Sequence, residues 1–139
     1  MDTRAVLAII LGCVATAGDL RRRVISNGIC LGALAGGLIC HAAKHGWAGL
    51  AASAAGALVG FSVFFVFYCR GGMGGGDLKL MAAFGALLGP HGILVAALLA
   101  SIVGALMAAA ALLIKRRRKA IPYAPAIVLG SWLALLAGR

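Results

Sequence analysis

Residues 78–114 read LKLMAAFGALLGPHGILVAALLASIVGALMAAAALLI, and the fold turns on them. The stretch is apolar from end to end apart from Lys79, His91 and Ser101. As one helix it would extend about 55 Å at ~1.5 Å per residue, whereas the hydrocarbon core of a bilayer is only ~30 Å thick. Two passes are therefore expected. Gly89-Pro90-His91-Gly92 supplies the break, because proline lacks a backbone donor and glycine permits a turn.

Outward from this stretch, apolar segments run over residues 6–18, 24–43, 47–69, 78–89, 93–114 and 121–137. The expected fold class is thus all-α: a polytopic integral membrane protein of about six transmembrane helices, forming one domain over residues 1–139. Composition agrees, since 63% of the 139 residues are hydrophobic and only 12% charged. A soluble domain of this size has no core large enough to take such segments.

The formal net charge of +10 does not point to nucleic acid, because the basic residues sit in short clusters between apolar runs. Alternating spans place Arg21–Arg23, Arg70, Lys79 and Lys115–Lys119 on one side, and Arg4, Lys44 and Arg139 on the other. Ten basic residues against three put the larger set in the cytoplasm and both termini outside it. Ala15-Thr16-Ala17 has the pattern of a signal-peptide cleavage site, but Asp2 beside Arg4 makes a poor basic leader. Cleavage would also export three arginines, so the first span is expected to be kept.

Cys13, Cys30, Cys40 and Cys69 form no C-x-x-C pair, and His41, His45 and His91 fall on the side opposite the acids. Neither a metal site nor a cofactor is expected, and the thiols read as packing groups. Gly28, Gly32 and Gly36 recur every four residues, as do Gly56 with Gly60 and Gly85 with Gly89. These spacings predict close helix–helix contacts.

The acids are the sharpest feature. There are three, Asp2, Asp19 and Asp77, and no glutamate. Asp19 ends the first span and Asp77 begins the fourth, so the topology puts both at the cytoplasmic boundary. Singly, Asp77 reads as a helix N-cap and Asp19 as a counter-ion to the following arginines. Together, with no other acid in any span, they read as a functional pair, because carboxylates at membrane depth are costly. Asp77 follows Gly71-Gly72-Met73-Gly74-Gly75-Gly76, and Gly74–Lys79 spells GxGDxK. Glycines there would let an extended backbone approach the carboxylate. No strand precedes the run, which excludes a dinucleotide fingerprint.

At this point the chain resembles the prepilin peptidase (type IV leader peptidase) family of GxGD aspartic proteases. The matching landmarks are Asp19-Leu20-Arg21 with Arg23 and Asn27, Gly74-Gly75-Gly76-Asp77-Leu78-Lys79, Phe84-Gly85 with Leu88-Gly89, and Ile121-Pro122-Tyr123-Ala124-Pro125. Ile25-Ser26-Asn27 stands where the family often has Ile-Pro-Asn, which leaves the turn into the second span less rigid. Only 18 residues precede Asp19, so no N-terminal methyltransferase domain with paired C-x-x-C motifs is expected. The resemblance is to the short, peptidase-only forms of Flp/Tad-type pilus systems.

The resemblance implies an aspartic endopeptidase in the bacterial inner membrane, with its active site towards the cytoplasm. Its partners would be the bilayer and a prepilin-like membrane protein, cleaved between a basic leader and a hydrophobic helix. Asp19 and Asp77 are the implied catalytic residues, sharing one proton: one as general base on water, the other polarising the scissile carbonyl. Gly74, Gly75, Gly76, Lys79 and Asn27 are expected to support the loop or bind substrate. Lys79 points to a different helix face from Asp77, and either snorkels to headgroups or grips an acidic substrate residue. The rival readings are a small proton-coupled transporter, a non-enzymatic pilus assembly factor, and a GxGD protease of the presenilin type.

Overall fold

The computed structural model describes residues 3–22, 27–71, 74–113 and 124–137. All regular structure within them is helical: α1 (Thr3–Arg22), α2 (Asn27–Cys69), α3 (Gly75–Leu113) and α4 (Ala124–Ala137). Asp2, Arg23, Lys115–Lys119, Ile121-Pro122-Tyr123 and Arg139 lie outside the described residues.

Two helices, α2 and α3, are long and apolar enough to cross a membrane. Most of their apolar surface is left uncovered by the rest of the chain. Ile39 is 67% exposed and Leu98 64%, whereas the core helix of a soluble protein would bury such side chains. The described residues thus form an all-helical structure with two helices of membrane-spanning length and apolar, outward-facing surface.

Six separate spans are expected from the sequence, but each long helix joins two of them through a single non-helical residue. In α2 this is Gly46 (φ 57°, ψ −137°), and in α3 it is Gly89 (φ 76°, ψ 178°). A positive φ of this kind is open to glycine and strained for other residues, so one residue redirects the chain without a loop. Past Gly46 the chain folds back, since Gly49 lies against the His41 carbonyl, about 12 Å away along a straight helix. Past Gly89 it does so again. Gly60 is close to both the Met81 carbonyl and the Ile93 side chain, which a straight helix would hold about 18 Å apart.

The break in α3 strands two carbonyls. Pro90 has no N–H to offer Ala86, four residues earlier, and the turn at Gly89 carries the chain away from Leu87. Both acceptors are served from α2. Ser53 Oγ donates to the Ala86 carbonyl at 2.7 Å, and His41 Nε2 lies 3.1 Å from the Leu87 carbonyl. A carbonyl only accepts, so that nitrogen carries the hydrogen. Ala86 and Leu87 are both buried, so each pairing satisfies a carbonyl that would otherwise lack a donor.

The glycine spacings are partly realised as helix contacts. A Cβ on Gly56 would strike the Gly85 carbonyl and the Gly89 backbone, and Gly37 sits against the Ala86 backbone. Gly36 faces only Leu7, and around Gly32 a Cβ would meet nothing within 4 Å. The contact stripe on the first arm of α2 is therefore displaced from the expected Gly28/Gly32/Gly36 row. Phe64, Leu80, Met81, Phe84, Ile93 and Ile127 fill the core among α2, α3 and α4. α1 is tied to α4 by Trp132, whose Nε1 donates to the Ala8 carbonyl at 3.1 Å, over Gly12, where any Cβ would collide with the indole.

Candidate active site

α3 begins two residues before Asp77. The Leu78 N–H donates to the Gly74 carbonyl at 3.5 Å as the first helical hydrogen bond, so Gly74 is the capping residue and Asp77 the third residue of the helix. Asp77 is thus not the N-cap, the role open to it when it is read singly. Its carboxylate instead reaches back to accept from the Gly74 N–H, the acid half of a capping box, next to the positive end of the helix dipole.

Asp19 lies in the last turn of α1, which continues to Arg22, so it belongs to the helix rather than to a loop after it. A carboxylate there opposes the helix dipole. Its Oδ2 is buried and meets no hydrogen-bond partner among the described residues. An unpaired buried acceptor costs about 1–3 kcal/mol, and more when charged. The only other such atom among the described residues is Ser131 Oγ on α4, a neutral hydroxyl with far less at stake. Asp19 also lies within electrostatic range of Asp77, so the two acids, far apart in sequence, lie near each other.

Lys79 and Asn27 are brought together as well. Lys79 Nζ donates to Asn27 Oδ1 at 2.9 Å, linking the second turn of α3 to the first residue of α2. Lys79 therefore has a partner within the chain, which neither of the two expected roles had provided for. At Gly74 a Cβ would come 3.7 Å from Asp77 Oδ2, and at Gly75 3.7 Å from the Tyr68 ring, both ordinary contacts. Neither position has a positive φ. The fold itself demands glycine at neither. Gly76 lies in the same first turn.

The carbonyl-pairing roles of Ser53 and His41 and the Tyr68–Gly75 contact are absent from the sequence reading. Pro90 held the signal for Ser53, because a proline within a buried helix requires an outside donor for the carbonyl four residues before it.

Two carboxylates at one end of a helical membrane bundle, one closing a helix and one opening another, define a membrane protein with a paired-acid site. The profile of the type IV leader peptidase family matches residues 5–109, and the chain belongs to that family. It is 34% identical over 129 residues to the prepilin leader peptidase/N-methyltransferase of Aeromonas hydrophila, an alignment covering 86% of this chain and 44% of the relative. The protein of the same name from Xanthomonas campestris is 34% identical over 144 residues, 95% of this chain and 50% of that one. That of Bacillus subtilis is 39% identical over 94 residues, covering 66% and 37%. The chain thus spans about half the length, or less, of the curated relatives it matches. No solved structure matches it at a significant level.

Proposed function

We propose that this chain is an aspartic endopeptidase that removes the basic leader from prepilin-like membrane proteins, with Asp19 and Asp77 as its acid pair. The observation that carries this reading is Asp19 Oδ2, buried without a partner among the described residues and within electrostatic range of Asp77. Two carboxylates so placed cannot both ionise cheaply, so one proton is held between them. The ionised member takes a proton from water as it attacks the scissile carbonyl, while the protonated member donates to the carbonyl oxygen. The glycines before Asp77 leave room for an extended substrate backbone, and the Lys79–Asn27 bond braces the segment beside it.

The same reading has six passes, the two long helices each counting as two because of the turns at Gly46 and Gly89. Both termini then lie outside the cytoplasm of a bacterial inner membrane and the acid pair at its cytoplasmic boundary, in line with the ten-to-three division of basic residues. A cytoplasmic signal from a reporter fused after Arg139 would overturn this topology.

The central test is Asp19→Asn and Asp77→Asn, each assayed for cleavage of a co-expressed prepilin, with Asp2→Asn as control. Both variants are expected to insert and accumulate without cleaving. Processing by either at near the wild-type rate would remove the acid pair and favour the transporter or assembly-factor reading.

A further inference from the structure

Beside the acid pair the surface is concave. A groove of about 260 Å³ runs between α2 and α3, with Cys30, Leu31, Leu34, Phe61 and Ala82 along it and the Lys79–Asn27 hydrogen bond at its mouth. A cavity of about 150 Å³ already accepts benzene, so this one has room for an aromatic ring with an aliphatic neighbour, though not for a whole helix. Neither aspartate lines it, but it lies close to Asp77 along two lines. On α3, Lys79 follows Asp77 by two residues, about 3 Å along the axis. On α2, Phe61, Phe65 and Tyr68 stack in sequence, at 5.6 and 6.3 Å between ring centroids. This ladder starts in the groove and ends at Tyr68, which borders Gly75.

Resting on the peptidase reading, we propose that this groove seats the first apolar side chains that follow the scissile bond of the substrate. A peptide held at Asp77 has one basic flank and one apolar flank. The Lys79 cation at the mouth repels the basic flank, and the trough behind it offers only apolar wall to the other. The side chains of the first two turns of the substrate helix then enter between α2 and α3, and the aromatic ladder holds the helix that bears them.

Cys30 lines the groove and so reports on its occupant. The probe is a prepilin-like precursor that the wild-type chain cleaves. Single cysteines are walked through the residues after its scissile bond and oxidised against a chain in which Cys13, Cys40 and Cys69 are alanine and Asp77→Asn keeps the precursor whole. A disulfide-linked adduct confined to one or two positions within the first two turns is the expected result. No adduct at any position, or equal adducts at all of them, would overturn the proposal and leave the groove to a lipid chain. Ala82→Phe, which fills the groove, is expected to raise KM about tenfold; an unchanged KM counts against the proposal. The same chain with Asp77 restored is assayed for cleavage in parallel. Cleavage without a confined adduct defeats the groove alone, whereas no precursor cleaved by the wild-type chain defeats the peptidase reading and with it the groove's occupant.

Discussion

The two ends of the bundle treat buried polar groups in opposite ways. At the end where α2 and α3 break, each polar side chain answers a need of the backbone: Ser53 serves the carbonyl that Pro90 strands, and His41 serves the next. At the acid end, Asp19 Oδ2 is buried and answers nothing among the described residues, and its charge acts on a second carboxylate. A polar group that completes the fold stabilises it. One that the fold leaves unsatisfied costs stability, and its persistence marks the place where chemistry or a ligand completes it.

This contrast separates under mutation. Asp77→Asn is expected to slow cleavage by about 10²–10⁴-fold, the usual weight of a general acid or base, with thermal stability held because the amide keeps the size of the side chain and its oxygen can still accept from the Gly74 N–H. Ser53→Ala is expected to do the reverse. It leaves the Ala86 carbonyl without a donor, at about 1–3 kcal/mol, and lowers the melting temperature in detergent while folded molecules cleave at their normal rate. If Ser53→Ala removed activity from folded protein, or Asp77→Asn unfolded it, the division of labour between the two ends would be wrong.

A smaller effect joins the ends. Trp132 bonds the Ala8 carbonyl and so fixes α1, which carries Asp19 in its last turn. Trp132→Phe keeps most of the apolar ring and loses one neutral hydrogen bond, about 0.5–1.5 kcal/mol. A fall in melting temperature of that order is expected, together with a lower kcat where KM holds, because Asp19 is held less firmly. A fall in stability with kcat untouched would show that α1 is positioned by other contacts.

Much of this was legible in the chain. The segment from Leu78 to Ile114 is too long for one pass, and Gly89-Pro90 marks its break by composition alone. Asp19 and Asp77 stand out because acids are so scarce, and GxGDxK places glycine where a backbone must approach. The extent of α1 was not legible, because Asp19-Leu20-Arg21-Arg22 is polar and reads as a loop, yet the helix continues through it. The start of α3 was hidden in the same way, since a run of glycines gives no helical signal while Asp77 and the Gly74 N–H close the first turn. The partners of Ser53 and His41 lie 33 and 46 residues away, and such pairings exist only once the helices have folded back.

The mildest substitution tests where periodicity misled. Gly28, Gly32 and Gly36 have the four-residue spacing of a helix contact, but a Cβ on Gly32 would meet nothing within 4 Å. One position beyond the row, Gly37 would drive a Cβ to 2.8 Å from the Ala86 carbonyl. Gly32→Ala therefore costs no space and gains helix propensity, up to about 1 kcal/mol in water, so unchanged cleavage and an equal or slightly higher melting temperature are expected. Gly37→Ala meets backbone that cannot yield as a flexible side chain would, and it should destabilise the α2–α3 seam. The pair also has a diagnostic failure. If Gly32→Ala were as damaging as Gly37→Ala, the face bearing Gly32 would have to pack in the membrane against something outside this chain, and the small-residue row would mark an interface between proteins instead of an open face towards lipid.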